Sequence, residues 1–378
     1  MAKYKINKRV KVIMNTLLLK YIAKWYKVLF IFLFIQGNIS AQTIKDSIKI
    51  NRFCDNVIVL NVEPVQQNNT IAIATNKGIV VIDNNISQSY ALLIRNAIIK
   101  EFNRDDFAYV INTHCDWDHV GGNQVFKDIP IVAHKNCLDT LKKYKEEGKE
   151  KLQADSAWAA SSISYYKDIL KEMPENSRNY HKYKNAIQRF EIFINDLNSN
   201  FEFVPPTIAF TDYLFLDMDN INIFLYYMGN AHRNSDIIIY IPEANLLIIG
   251  DLQFDMNISH LRSTGAGFDQ KLDIKRWIEI LSIILNSNND IKYIIPGHYN
   301  IHNKEWLVRQ FDYLKTIWND IQQAKQNNIP FNEFLEKMCD WNKFSFDESW
   351  KLDFEFKLEI SELQKRHVEL IKLIWEQN

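Results

Sequence analysis

From residue 56 onward, short β-branched runs alternate with turn-forming segments. Residues 57–60, 71–74 and 79–82 are strand-length apolar runs, and the last two flank Asn76-Lys77-Gly78, a hairpin turn signal. Residues 89–102 place Leu92, Ile94, Ala97, Ile98 and Phe102 on or near one helical face. Residues 109–111 and 129–133 read as buried strands. Residues 137–200 are charged and helical in pattern without a strand run, and Pro205-Pro206 closes that stretch. Strand patterns resume at 208–210, 213–216, 223–227, 237–241 and 246–249, followed by a helix over 272–285 and a strand over 293–295. After His302 the spacing is purely helical: Leu307, Phe311, Leu314, Trp318 and Ile321 form a stripe, Pro330 opens another helix, and 363–375 form a last one. Such stripes usually pack on the main domain, which is the expectation here, rather than bind a partner. This order predicts an α/β (α+β) fold, a sandwich of two sheets with helices on the outer faces.

The first 41 residues differ. They hold eight basic residues and no acid, then an uncharged apolar run over 28–35, then small and polar residues ending at Ala41. These are the marks of a secretory signal. The apolar run is shorter than the ~20 residues a membrane span needs, so a cleaved signal over 1–41 is favoured over a retained anchor. Met14 offers a second start with a more usual signal length. No Cys follows the run, so lipid attachment there is not expected. Without the segment, 37 basic residues face 46 acidic ones, a net charge of −9. An acidic, exported chain without a basic patch argues against nucleic-acid binding. It also implies no stable membrane association after signal cleavage. Four cysteines, at 54, 115, 137 and 339, show no paired spacing and are expected to be free, mostly buried thiols.

The chemistry is concentrated in His114-Cys115-Asp116-Trp117-Asp118-His119. Four ligand-type side chains fall within six residues, directly after an apolar strand. On an extended segment alternate residues share a side, so His114, Asp116 and Asp118 are expected to converge, with Cys115 aimed away and His119 at a bend. Gly121-Gly122 follows and permits a tight turn. His232, Asp251 and His298 each lie just past an apolar strand run, where loops gather to build sites. Imidazoles and carboxylates together are ligands for Zn, Mn or Fe. His134, His181, His302 and His367 read as surface or helix residues.

With these residues in place, the chain resembles the metallo-β-lactamase superfamily. Its motif is His-x-His-x-Asp-His, then a distant His, a bridging Asp and a final His. The match falls at His114, Asp118, His119, His232, Asp251 and His298, with an early Gly78-Ile-Val-Val-Ile-Asp83 in which Asp83 supports the ligands. The resemblance covers about residues 55–300. It implies a four-layer αββα sandwich domain over 50–304, interrupted by the helical insertion at about 138–200 and followed by a C-terminal helical extension over 305–378. It also implies two divalent metal ions, zinc first, with iron or manganese as alternatives. His114, Asp116 and His232 would hold the first ion, and Asp118, His119 and His298 the second, with Asp251 bridging. The departure is Asp116, which stands where the motif has its second His. Its charge hardens the first site, which favours Fe or Mn relative to Zn.

The implied function is a periplasmic or secreted metallo-hydrolase that opens a small-molecule ester, lactone, thioester or lactam. A metal-bound hydroxide attacks, and Asp118 is the catalytic residue that orients the nucleophile and carries a proton. True β-lactamases of the superfamily usually have Cys or Ser where Asp251 stands, so Asp251 tilts the reading toward lactonases and related esterases. A β-lactamase proper and a di-iron redox enzyme of the same fold are the alternatives. The segment 255–270, with His260, Arg262 and Gly265-Ala-Gly267, is the expected substrate loop.

Overall fold

The structure is a computed structural model, and it describes residues 48–62, 66–199, 201–253, 273–298, 300–338 and 360–377. The signal expected over 1–41, the substrate loop with His260, Arg262 and Gly265-Ala-Gly267, and Cys339 lie outside the described residues.

Twelve strands form two sheets among the described residues. The first sheet orders β1 (Ile48–Cys54), β2 (Val57–Val62), β3 (Gln66–Thr75), β4 (Gly78–Ile82), β5 (Phe107–Ile111), β6 (Ile131–His134) and β7 (Ile208–Phe210) side by side. Its first four strands are antiparallel and β4 to β7 are parallel. The second sheet orders β12 (Tyr293–Pro296), β11 (Leu246–Gly250), β10 (Ile237–Ile241), β9 (Asn222–Tyr227) and β8 (Tyr213–Asp217). All its pairings are antiparallel except β11 with β12.

Strands β2, β4 and β11 are buried along their whole length, because both faces of each are covered. That is why they read as continuous apolar runs rather than as alternations. Between the sheets, Val59, Ile71, Val80, Ile82 and Ile111 meet Ile223, Leu225, Ile239, Leu246 and Ile248 in one core. The outer face of the second sheet presents Ile238, Leu247, Ile249 and Ile294 to a helical layer. That layer comes from α6 (Ile274–Leu285), α7 (Lys304–Gln326), α8 (Phe331–Met338) and α9 (Ile360–Gln377). Trp277, Ile280, Leu281 and Ile284 of α6 are buried there, each stabilising the fold by ~1.5–3 kcal/mol. Of the expected α7 stripe, Leu307, Leu314 and Ile321 are buried in this core and Phe311 and Trp318 are partly buried against it, with Ile317 completing the buried face. On the first sheet, α1 (Gln88–Phe102) buries Tyr90, Ala91, Ile94 and Ile98 and contacts β1 and β3. The result is a helix–sheet–sheet–helix sandwich.

Between β6 and β7 run three helices, α3 (Lys135–Glu147), α4 (Lys149–Lys171) and α5 (Arg178–Leu197). Helices α4 and α5 pack as a hairpin. Asp196 of α5 accepts hydrogen bonds from the N–H and Oγ of Ser89, at 2.8 and 2.7 Å, which pins the hairpin to the start of α1. No helix among the described residues is long and apolar enough to cross a membrane.

Two expectations need correction. His134 and His302 are buried and outside any helix, rather than on the surface or in a helix, whereas His367, also buried, is a helix residue of α9. His134 stacks on Tyr227, donates from Nε2 to the Thr211 carbonyl and accepts at Nδ1 from the Asn136 N–H at the start of α3, and His367 bonds Tyr313 between α9 and α7. His181 is exposed. The other correction concerns the ligand motif: alternation ends at Asp116, which caps a short helix α2 (Trp117–Val120), so Asp118 already lies on a helical turn. Of the cysteines, Cys54 is exposed, Cys115 and Cys137 are buried, and all three are free thiols.

Candidate metal centre

The ligand-type residues sit past the C-terminal ends of strands that point to one edge of the sandwich. The loop after β5 carries His114 and Asp116 into α2, which presents Asp118 and His119. His232 follows β9, Asp251 follows β11 and His298 follows β12. Each segment follows a strand of one of the two sheets, so the sheets bring these segments together.

Two triplets have donor atoms within 4.8 Å of one another: His114, His232 and Asp251, and Asp118, His119 and His298. Asp251 touches both. Its Oδ1 lies 3.5 Å from His119 Nε2, and its Oδ2 lies 3.3 Å from His298 Nε2 and 3.9 Å from His114 Nε2. Asp118 Oδ2 is 3.3 Å from His298 Nε2, and its Oδ1 is 3.8 Å from His119 Nε2. Asp116 belongs to neither triplet. Its Oδ2 lies 3.7 Å from His114 Nε2 and 4.0 Å from His232 Nε2, while its Oδ1 accepts a hydrogen bond from Arg233 Nε at 2.6 Å.

The imidazoles are oriented from behind. Asp83 Oδ2 lies 2.8 Å from His119 Nδ1, and Asp83 Oδ1 accepts from the Thr113 N–H at 2.8 Å. Thr113 Oγ1 bonds Asp83 Oδ2 at 2.7 Å and lies 3.0 Å from His114 Nδ1. With their Nδ1 atoms engaged, His114 and His119 turn Nε2 toward the common centre, the arrangement that ligating histidines adopt. Asp83 holds this position with a left-handed backbone, φ 56°. Asn68 of β3 donates to Asp118 Oδ2 at 3.1 Å.

Two glycines let the chains close in. Gly250, at φ +51°, leaves room for Thr113, whose Oγ1 would be 2.9 Å from an added Cβ. At Gly297 an added Cβ would stand 2.1 Å from Asp251 Oδ1 and 2.8 Å from His119 Cε1.

Trp117 lies between Asp116 and Asp118 in the chain, and its side chain points toward the helices between β6 and β7. It packs on Phe193 of α5 and on Phe201 and Phe203 beyond it. Lys151 of α4, ion-paired with Asp155, lies over the Trp117 and Tyr144 rings.

Opposite charges dominate the centre. Burial by itself would raise the carboxyls of Asp118 and Asp251, yet His119 and His298 hold both well below the usual carboxylate range. Burial would lower His298, but Asp251 and Asp118 push it up to about 9. Asp116 is likewise held low: burial opposes its charge, and the Arg233 guanidinium together with His114 and His232 outweighs burial. Burial pushes the Cys115 thiol up to about 11, and Cys115 belongs to neither ligand triplet.

The residues fit a cation. Nε2 of His114, Nε2 of His119 and Oδ1 of Asp251 are buried without a hydrogen-bond partner among the described residues. An unsatisfied buried polar atom costs ~1–3 kcal/mol, and cation ligation would satisfy all three. Residue type and position past strand ends point to His114, Asp118, His119, His232, Asp251 and His298 in the sequence. Arg233, Asn68 and Thr113 carry no such signal, because their roles depend on burial against partners distant in the chain.

The model for the metallo-beta-lactamase superfamily matches residues 64–298. A metallo-beta-lactamase type 2 of Bacteroides fragilis is 27% identical over 93 residues, 25% of this chain and 35% of that protein. The chain thus spans about a third of that relative. A metallo-beta-lactamase type 2 of Bacillus cereus is 20% identical over 247 residues, 65% of this chain and 73% of that protein. Among solved structures, a metallo-beta-lactamase from Pontibacter korlensis aligns with a TM-score of 0.48 at 14% identity, covering 71% of this chain and 99% of that one.

Proposed function

Since the chain belongs to the metallo-beta-lactamase superfamily, we propose that it is an exported two-metal hydrolase that opens a small ester, lactone, thioester or lactam. The observation that carries this reading is Asp251, whose two oxygens reach toward both ligand triplets at 3.3–3.9 Å. Divalent ions in such a site polarise an acyl oxygen and bring the pKa of water to about 7. His114, His232 and Asp251, with Asp116, would hold the first ion, and Asp118, His119 and His298 the second.

The remaining work falls to side chains. Asp83 and Thr113 fix the rings of His119 and His114, so the ligands need little reorganisation on loading. Asp118 is the more open of the two central carboxylates, with 23% of its side chain exposed against 5% for Asp251. That exposure suits it to orient the attacking water and pass a proton to the leaving group. Asn68 holds the Asp118 oxygen that faces His298.

A lactam is the second reading, because the curated relatives are metallo-beta-lactamases. Asp251 sets this chain apart from the Cys or Ser usual in true β-lactamases, so ester and lactone substrates come first. Purified protein supplied with zinc, manganese or iron should be assayed against ester, lactone, thioester and β-lactam panels, with chelated protein as the control. Turnover of one acyl class that chelation abolishes supports the reading. Two bound ions without acyl hydrolysis would redirect it to redox chemistry, and absence of both would sink it. Export is tested by N-terminal sequencing of protein from the native host's envelope or medium, which should begin near Gln42.

A further inference from the structure

Arg233 immediately follows a ligand-type histidine, and it is 4% exposed. A guanidinium is rarely buried so deeply unless a partner is built for it. Here the partner is Asp116, the residue that departs from the superfamily motif, with Nε to Oδ1 at 2.6 Å. Arg233 is itself held. Its backbone N–H donates to Asp236 Oδ2 at 2.7 Å, and its NH1 group donates to the His232 carbonyl at 3.1 Å.

We infer that Arg233 is the positioning residue of the first metal site: it grips one oxygen of Asp116, turns the other toward His114 and His232, and with Asp116 replaces the motif's missing imidazole. This rests on the two-metal reading above. The geometry supports it in two ways. Ligands at ~2.0–2.2 Å from one tetrahedral ion lie about 3.4 Å apart. The Asp116 Oδ2 separations, 3.7 Å to His114 and 4.0 Å to His232, resemble the 3.3–3.9 Å separations elsewhere in the centre. Only Oδ2 faces the histidines, because Oδ1 is committed to Arg233. Asp116 would therefore bind through one atom, as an imidazole does.

Charge supplies the second argument. An imidazole ligand is neutral and a carboxylate carries −1, so Asp116 alone would harden the site. The guanidinium beside it cancels that charge, and the carboxylate–guanidinium pair is neutral as a unit. The shift toward iron or manganese expected from Asp116 alone is offset by Arg233.

The alternative is that Arg233 withdraws Asp116 into an ordinary buried ion pair and leaves the first ion to three ligands. The test separates the two. Wild type, Arg233→Gln, Arg233→Lys and the double variant Asp116→His with Arg233→Gln are stripped of metal and titrated with Zn(II) and with Co(II). Affinities are read by chelator competition, and the Co(II) site by its visible absorption. Wild type should bind two ions. Arg233→Gln should lose about 10–100-fold in affinity for one ion, the loss typical of an orienting partner, with the other ion retained. The retained ion is assigned by adding His298→Ala, which should remove it. The double variant should regain the second equivalent, because imidazole needs no guanidinium. Unchanged affinity and an unchanged Co(II) spectrum in Arg233→Gln would overturn the inference while leaving the two-metal reading intact. A wild type that binds no ion would overturn both. If Arg233→Gln does not purify, Arg233→Lys decides: a point charge without the fork should weaken the first ion alone, and wild-type affinity for both ions refutes the positioning role.

Discussion

Adding one methyl group at Gly297 probes the centre without replacing a ligand-type residue. The Gly297→Ala Cβ would lie 2.1 Å from Asp251 Oδ1, whereas real Cβ contacts essentially never fall below 3.0 Å. Something must therefore move by at least about 0.9 Å. The backbone of Gly297 has little freedom to do so. Its N–H donates to the Gly250 carbonyl at 2.8 Å, and its own carbonyl accepts from the Asn69 N–H at 2.8 Å. His119 Cε1 closes the other side at 2.8 Å. The displacement thus falls on the Asp251 carboxylate, whose two oxygens face both ligand triplets. Overpacking of this kind costs ~1–3 kcal/mol of stability. A shift near 1 Å in a catalytic constellation costs on the order of 10²-fold in rate. The expected outcome is a folded protein with a modestly lowered melting temperature, reduced affinity for both ions and kcat/KM about a hundredfold down. Elemental analysis, thermal unfolding and the acyl-hydrolysis assay measure the three. A variant that keeps two ions and near-wild-type turnover would refute the assignment of Asp251 as the shared group.

Other perturbations have equally definite outcomes. Asp118→Asn keeps the shape of the side chain but cannot carry a proton, so kcat should fall by roughly 10²–10⁴-fold with the circular dichroism spectrum unchanged. Trp117→Ala empties the pocket formed by Phe193, Phe201 and Phe203 and should cost ~3–5 kcal/mol in denaturant unfolding. Stripping metal should lower the melting temperature reversibly, since ligand at a hundredfold above Kd adds ~2.7 kcal/mol; identical melting with and without chelator would count against ligation.

Central strands were legible in the sequence because burial on both faces writes itself as an unbroken apolar run, as in β2, β4 and β11. Strand β1 was not, since only scattered positions of Ile48–Cys54 are even partly buried. The first half of β3 was hidden too. Its Asn68 and Asn69 are buried polar residues, serving Asp118 and the Pro296 carbonyl rather than a core. The motif showed its chemistry but not its shape. Alternation described the chain only as far as Asp116, after which α2 brings Asp118 and His119 round by a helical turn. Burial of Arg233 had no local signature at all, because a charged residue beside a histidine reads as surface until its distant partner is known.

Trp117 ties two parts of the molecule into one cooperative unit. It is one residue from Asp116 and one from Asp118, yet its ring is clasped by α5 and by Phe201 and Phe203. Opening of the α4–α5 hairpin must therefore loosen the loop that bears four of the ligand-type residues. If the two open together, backbone amides around 114–119 should exchange no more slowly than those of the hairpin. A helical excursion that looks like surface ornament is, by this linkage, part of what sets the lifetime of the centre.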